Sequence, residues 1–165
     1  MSADVTVRAA TGDDAAAVRR ITREAWHAAY GEFIDASRID ETIDAWYDTD
    51  RLVADDIDPP DRPFFVAVVG DDVAGFVEAA SGDEGVAHLY RIYVAPEYWH
   101  RGIGSSLLER IEQALRERGF DRLVLSVFAE NTVGVQFYES SGFLRTDSTY
   151  SERFDTREYE YAKEL

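Results

Sequence analysis

The segment YVAPEYWHRGIGSSLLERIEQAL, residues 93–115, runs from an apolar strand through a turn with two glycines into an amphipathic helix. Its helical spacing predicts a helix from Gly104 to Arg118 with an apolar face of Leu107, Leu108, Ile111 and Leu115. Glycine backbone and the free N–H groups of a helix start can bind an anion. Glycine can also serve only the backbone angles of a tight turn. The segment alone leaves both interpretations open.

The composition of the chain indicates a single domain over residues 1–165, with 45% hydrophobic residues for its core. The sequence contains no cysteine, which excludes disulfides and thiolate metal ligands. The three histidines are dispersed, so no metal site is expected. No apolar run reaches the roughly eighteen residues of a membrane helix, and the start shows no secretory pattern. We therefore expect a cytoplasmic protein without membrane contact.

The charge of the chain is strongly acidic, with a formal net charge of −16 and a pI of about 4.4. Lys163 is the only lysine, and the remaining basic residues are arginines. Binding of nucleic-acid phosphates requires the opposite sign, so a nucleic-acid partner is not expected. The acidic surface resembles that of proteins from salt-rich cytoplasm. A preference for cationic substrates is the alternative interpretation.

The order of predicted elements is one strand, two helices, three strands, a helix, a strand, a helix and two strands. This order predicts a mixed α/β (α+β) fold, in which a central mixed sheet of about seven strands is flanked by about four helices. The predicted strands are VTVRAA (5–10), FFVAVVG (64–70), DVAGFVEAA (72–80), GVAHLYRIYV (85–94), RLVLSVF (122–128), 144–150 and 157–163. The predicted helices lie near 11–30, 37–53, 104–118 and 132–141.

The glycine turn does not match the two common nucleotide-binding patterns. A Walker loop places a lysine after its final glycine, whereas Ser105 follows Gly104 directly. A dinucleotide fingerprint needs a third small residue where Leu107 stands. A nucleotide-binding interaction domain is therefore disfavoured.

The residues beyond the glycine helix form a second motif. Asn131, Gly134, Tyr138, Gly142 and Phe143 fall on the pattern Asn-x-x-Ala-x-x-x-Tyr-x-x-x-Gly-Phe, with glycine in place of alanine. At this point the chain resembles the GCN5-related N-acetyltransferase (GNAT) superfamily. The resemblance covers nearly all of the chain in element order and implies a GNAT-like fold with a partly splayed sheet.

The glycine turn matches the other motif of the family, Arg/Gln-x-x-Gly-x-Gly/Ala, in its last three positions. Trp99 stands where arginine or glutamine is usual, and His100 stands at a position that is often glycine. In the family this loop binds the pyrophosphate of acetyl-CoA through backbone amides. Because those contacts are made mainly by the backbone, the two departures would weaken a side-chain contact more than the backbone contacts. We call the backbone amides of residues 101–105 the anion cradle.

The resemblance implies that acetyl-CoA is the acyl donor. Its pantetheine arm would lie along β-strand residues 92–94, which splay from residues 123–128. Asn131 would bind the same arm, or cap its helix, or do both. The residues expected at the cofactor are Ile92, Tyr93, Val94, His100, Arg101, Gly102, Ile103, Gly104, Ser105, Asn131 and Tyr138.

Tyr138 matches the family tyrosine near the coenzyme sulfur, where a protonated phenol can act as general acid. Candidate bases are His88, which strand alternation places on the face of Val94 unless a bulge intervenes, and Glu78. Deprotonation by water is the alternative. Trp26 and Tyr30 lie where the family forms its acceptor wall, although aromatic helix faces are more often core.

These residues favour an N-acetyltransferase acting on a primary amine in a small molecule, an amino-acid-like compound or a peptide N-terminus. The alternative is a non-catalytic acyl-CoA-binding sensor or interaction module of the same fold. Pairing through the exposed terminal strands would allow a homodimer. The identity of the amine does not follow from the motifs.

Overall fold

The computed structural model describes residues 4–32 and 34–165. One seven-stranded sheet has the order β1-β2-β3-β4-β5-β7-β6. Only β4 and β5 are parallel, and every other neighbouring pair is antiparallel, which confirms the mixed sheet. The strands are β1 (Val5–Ala9), β2 (Phe64–Val69), β3 (Asp72–Ser81), β4 (Val86–Val94), β5 (Arg122–Phe128), β6 (Leu144–Ser151) and β7 (Thr156–Glu164).

The described residues form five α-helices where about four were expected. The predicted helix over residues 37–53 is divided, because Asp48 adopts an extended conformation and caps a new helix through the backbone N–H of Arg51. A single π-type turn, Val53–Ile57, follows this short helix. The helices are α1 (Ala15–Tyr30), α2 (Ala36–Trp46), α3 (Thr49–Leu52), α4 (Ile103–Glu117) and α5 (Thr132–Ser140). None of them, within the described ranges, is long and apolar enough to cross a membrane.

The two faces of the sheet each carry a separate hydrophobic core. On one face, Leu107, Ile111 and Leu115 of α4 are fully buried against the strands. Each such side chain contributes about 1.5–3 kcal/mol through burial. On the other face, residues of α1 and α2 such as Ile21 and Ile43 pack against β2 and β3. The sheet is therefore held between helices on both sides, which fixes the position of its central strands.

The parallel strands β4 and β5 separate after a short paired region. Val86, Ala87 and His88 pair with residues 122–124, and no pairing continues beyond them. The rest of β4 therefore diverges from Leu125–Phe128 and leaves the facing backbone edges unpaired. This confirms the expected splay, and it opens a cleft in the middle of the sheet.

Strand β4 contains a bulge at Tyr90. Glu78 of β3 pairs with Arg91, and the next residue, Ala79, pairs with Leu89, so Tyr90 has no partner across the strand. The extra residue shifts the alternation of side chains. Ala87 and Leu89 consequently share a core with Ile92 and Val94. The expectation that His88 lies on the face of Val94 is therefore wrong, because the bulge puts His88 on the opposite face.

Candidate functional site

The splay between β4 and β5 opens into a cleft of about 720 Å³, within the usual size range of ligand sites. Its walls come from both splayed strands, the start of α4, one side of α5 and the end of α1. The cleft brings together most of the predicted site residues: Trp26, Tyr30, Ile92, Tyr93, Val94, His100, Gly102, Ile103, Gly104, Ser105, Asn131 and Tyr138.

The start of α4 forms one end of the cleft. Gly102 caps the helix in the left-handed conformation, with φ 78°, and its carbonyl accepts from the N–H of Ser106 at 3.1 Å. The amides of the first helical turn have no intrahelical carbonyl to bind, so they are available to an anion. His100 is also left-handed, with φ 65°. That conformation explains why this position often carries glycine.

Gly104 lies where α5 comes close to α4. A Cβ atom at this position would lie 3.2 Å and 3.3 Å from two ring carbons of Phe137. Arg101, by contrast, lies outside the cleft lining, and its guanidinium lies 5.5 Å from the centre of the Tyr98 ring. The cradle at this helix start is therefore formed by backbone groups, with His100 as the basic side chain that lines it.

Trp99 joins the end of β4 to the glycine turn. Its indole N–H donates a hydrogen bond of 2.7 Å to the carbonyl of Val94. The indole therefore binds the backbone of the strand that lines the cleft. The departure from arginine or glutamine at this position replaces a flexible polar side chain with a rigid one that lies in the cleft wall.

Asn131 connects two walls of the cleft. Its side-chain oxygen accepts from the N–H of Gly134 at 2.9 Å, which confirms the predicted helix cap. Its side-chain amide donates to the hydroxyl of Tyr30 at 3.2 Å. A Cβ atom on residue 134 would lie 2.5 Å from that amide nitrogen. Glycine therefore leaves room for an arrangement that the alanine usual in the family would disturb.

Tyr138 lies half-buried in the cleft wall between aromatic neighbours. Its ring centre is 5.4 Å from that of Phe137, 5.7 Å from that of Phe143 and 6.4 Å from that of Tyr161. Burial, with a smaller contribution from Tyr93, raises the pKa of Tyr138 above the ordinary value for tyrosine. The phenol is consequently protonated throughout the physiological pH range.

The far end of the cleft is aromatic. Trp26 and Tyr30 are buried, and their ring centres are 5.1 Å apart in an edge-to-face contact. Phe128 lies 5.2 Å from Tyr30, and Phe154 lies 5.2 Å from Phe128. The lining residues at this end that sequence reasoning missed are Trp46, Phe128, Phe154 and Glu158. Phe128 ends the splayed strand and could have been found from that position, whereas the others come from distant segments without a motif.

Glu78, a predicted base, lies in a buried ion-pair network instead of the cleft lining. Its carboxylate accepts from Arg62 at 2.8 Å and from Arg91 at 3.3 Å. Asp56 lies 3.0 Å and 3.5 Å from the same two guanidinium groups. Burial, together with the neighbouring Asp56, raises the pKa of Glu78 to about 8, against the lowering effect of both arginines. The side chain of Glu78 is thus held by hydrogen bonds from two arginines, outside the cleft lining.

His88, the other predicted base, is exposed and also lies outside the cleft lining. It pairs with Ala80 on one side and Val124 on the other, before the strands separate. The structure therefore brings neither predicted base to the cleft. Over residues 4–32 and 34–165, no group of three or more potential ligands could hold a metal ion.

A splayed mixed sheet with a glycine-initiated helix at one end of the splay is the arrangement expected of the acyl-CoA-dependent transferases of the GNAT class. The sequence agrees with this class, since the profile described as "Acetyltransferase (GNAT) family" matches residues 18–143. That region is well over half of the chain. The protein belongs to the GNAT acetyltransferase family.

Individual proteins of this family resemble the chain over most of its length. A spermidine N(1)-acetyltransferase of Thermoplasma acidophilum is 27% identical over 159 residues, covering 94% of this chain and 98% of the relative. A mycothiol acetyltransferase of Saccharopolyspora erythraea is 31% identical over 87% of this chain, which spans 45% of that longer protein. The crystal structure of the PaiA N-acetyltransferase of T. acidophilum in complex with coenzyme A superposes with a TM-score of 0.86, at 25% identity, over 98% of this chain and 99% of that one.

Proposed function

We propose that the protein transfers the acetyl group of acetyl-CoA to a primary amine by direct attack, with Tyr138 as general acid. The observation that carries this proposal is the position of Tyr138 in the wall of the cleft that the β4–β5 splay opens. The membership of the family and the coenzyme A complex of a similar structure support acetyl-CoA as the donor.

The two ends of the cleft suit the two substrates. First-turn amides of α4, which have no intrahelical carbonyl to bind, provide donors for a pyrophosphate. The unpaired edge of β4 provides backbone groups for an extended amide chain such as pantetheine. The acceptor amine then occupies the aromatic end near Tyr30 and Phe128.

The reaction needs a proton at the departing sulfur. The amine nitrogen forms a bond to the thioester carbonyl carbon, the carbon–sulfur bond breaks, and the phenol of Tyr138 donates its proton to the sulfur. The raised pKa of Tyr138 keeps the phenol protonated at neutral pH, so this proton is available. Tyr138 regains a proton from solvent after the product leaves.

The amine must also lose a proton, and we assign that step to solvent water. Glu78 is held by Arg62 and Arg91, and His88 lies where β4 and β5 are still paired. The acidic limb of the pH profile of kcat/KM should then follow the pKa of the amine. A series of amines of graded pKa would give parallel shifts of this limb if water accepts the proton, and a constant limb if a side chain does.

An amine panel assayed for release of free CoA thiol tests the proposed function. Omission of the amine controls for hydrolysis, and mass spectrometry of the amine confirms acetyl transfer. Amine-dependent thiol release with an acetylated product supports the proposal. Tight binding of acetyl-CoA, measured by calorimetry, without turnover of any amine would contradict it and favour the non-catalytic sensor.

A further inference from the structure

Glu158 is a carboxylate of the cleft wall that the reaction described above does not use. It lies on β7 directly opposite Phe128 of β5. Opposed residues of an antiparallel pair share a face, so Glu158 lies on the side of the sheet where Phe128 contacts Tyr30 of α1. The residue is half-buried and lines the aromatic end of the cleft.

The side chain of Glu158 makes no hydrogen bond or ion pair with residues 4–32 or 34–165. The four buried carboxylates of the described residues are all paired with arginine or lysine: Asp14 with Arg8, Asp56 and Glu78 with Arg62, and Glu112 with Lys163. Removing a carboxylate partly from water costs free energy unless a cation or a hydrogen-bond donor pairs with it. Glu158 is therefore free to bind a cation of the ligand.

The side chains around Glu158 also suit a cationic aliphatic ligand. Trp26, Trp46, Phe128 and Phe154 line the same end of the cleft. Aromatic rings attract ammonium groups through their faces and bind methylene chains through apolar contact. An amine with an alkyl body and a second ammonium group would therefore contact both the rings and the carboxylate.

The two arginines at this end do not provide a site for an anionic acceptor. Arg91 lines the cleft, but its guanidinium is paired with Glu78 and Asp56 and lies 4.3 Å from the ring centre of Tyr47. Arg153 lies outside the lining of this cleft, over the rings of Trp46 and Phe154 at 4.9 Å and 5.4 Å. Of the charged residues Arg91 and Glu158 in the cleft lining, Arg91 is paired with protein carboxylates, whereas Glu158 has no protein partner among the described residues.

We infer that Glu158 binds the distal ammonium group of the acceptor, which makes the acceptor class an aliphatic diamine or polyamine. This inference rests on the proposed function and specifies its second substrate. A carboxylate on the acceptor would be repelled by Glu158, so amino acids are expected to be poor acceptors. Simple monoamines would bind through the rings alone.

The test compares cadaverine with n-pentylamine, which has the same carbon chain and lacks the second ammonium group. Wild-type protein should show a kcat/KM for cadaverine that is roughly 10–100-fold higher, the range of one charge-assisted hydrogen bond. In Glu158→Gln this ratio should fall towards one. Glu160→Gln is the matched control, because Glu160 lies on the same strand and pairs with Ser126 but does not itself line the cleft. This variant should keep the wild-type ratio.

Binding of cadaverine, followed by the fluorescence of the tryptophans in the cleft, gives a readout that does not need turnover. Weaker binding in Glu158→Gln than in Glu160→Gln supports the inference even if no amine is acetylated, in which case only the proposed reaction fails. Equal turnover of cadaverine and n-pentylamine by the wild type would overturn the inference while leaving the acetyltransferase in place. An unchanged ratio in Glu158→Gln would overturn it equally.

Discussion

The side-chain amide of Asn131 donates to the hydroxyl of Tyr30 across the cleft, over 3.2 Å and 101 positions of sequence. This bond joins α5, the helix of the proposed acid Tyr138, to α1, the helix of the aromatic acceptor wall. The position of the proton donor is therefore coupled to the wall against which the amine would lie. Glycine at position 134 permits this hydrogen bond, because the absence of a Cβ atom leaves space for the side-chain amide of Asn131.

The first prediction concerns this coupling. Gly134→Ala should displace the Asn131 side chain, because the new Cβ would lie 2.5 Å from the amide nitrogen. Loss of the cap should lower the free energy of unfolding by about 0.5–2 kcal/mol, measured by urea titration. Turnover should also fall as Tyr138 loses its fixed distance from the acceptor wall. Thr132→Ala, an exposed change in the same helix, is the control, and equal stability of the two variants would contradict the account.

The second prediction concerns the helix start. Gly104→Glu should abolish acetyl-CoA binding in calorimetric titration, because it places a carboxylate at the anion cradle and a Cβ against Phe137. Ser106→Glu adds the same charge two residues later, outside the cleft lining, and should weaken binding less. Circular dichroism must show both variants folded. Unchanged affinity in a folded Gly104→Glu protein would remove this helix start from the site.

The elements that carry strong local patterns could be predicted from the sequence. The period of Leu107, Ile111 and Leu115 predicted α4 to within one residue at each end, and RLVLSVF matched β5. The two glycine-containing motifs located the start of α4 and the Asn131 cap, both of which line the cleft, because these features depend on local backbone geometry. These features are local, so one sequence is enough to reveal them.

The features that the sequence did not reveal depend on pairing between distant segments. The bulge at Tyr90 is visible only in the register between β3 and β4, and it reverses the face of His88. The position of Glu158 in the cleft depends on the pairing of β7 with β5. No local pattern encodes either arrangement, which is why the face of His88 was predicted wrongly and Glu158 was missed at the aromatic end of the cleft.

The third prediction concerns the buried carboxylate of Glu78. Its pKa rises from an ordinary value of 4.5 to about 8 in the folded protein. Between these pH values the folded state binds more protons than the unfolded state, so this group makes stability fall as pH rises through that window. The contribution is at most about 5 kcal/mol, since each tenfold change in the dissociation constant corresponds to about 1.4 kcal/mol.

Glu78→Gln removes this titration. The free energy of unfolding of the wild type, relative to that of Glu78→Gln, should therefore decrease between pH 5 and pH 8.5, as measured by urea titration at each pH. Glu109→Gln, a change at an exposed carboxylate of α4, controls for the general effect of removing a negative charge. If the free energy of unfolding of the wild type, relative to that of Glu78→Gln, instead rises with pH, the two arginines outweigh burial and Glu78 is ionised at neutral pH.

The last prediction concerns Tyr138. Tyr138→Phe removes the phenol proton while keeping the ring in contact with Phe137 and Phe143, so the fold and acetyl-CoA affinity should be preserved. Turnover should fall by roughly 10²–10⁴-fold, the usual range for loss of a general acid. The burial that raises the pKa of Tyr138 also means that wild-type kcat should show no basic limb from this group below about pH 10. Tyr161→Phe is the matched control, because Tyr161 lies in the same aromatic cluster with its hydroxyl bound to Glu139 and lies outside the cleft lining. Single-turnover measurement of acetyl transfer separates chemistry from product release, and near-normal chemistry in Tyr138→Phe would reduce this residue to a packing role.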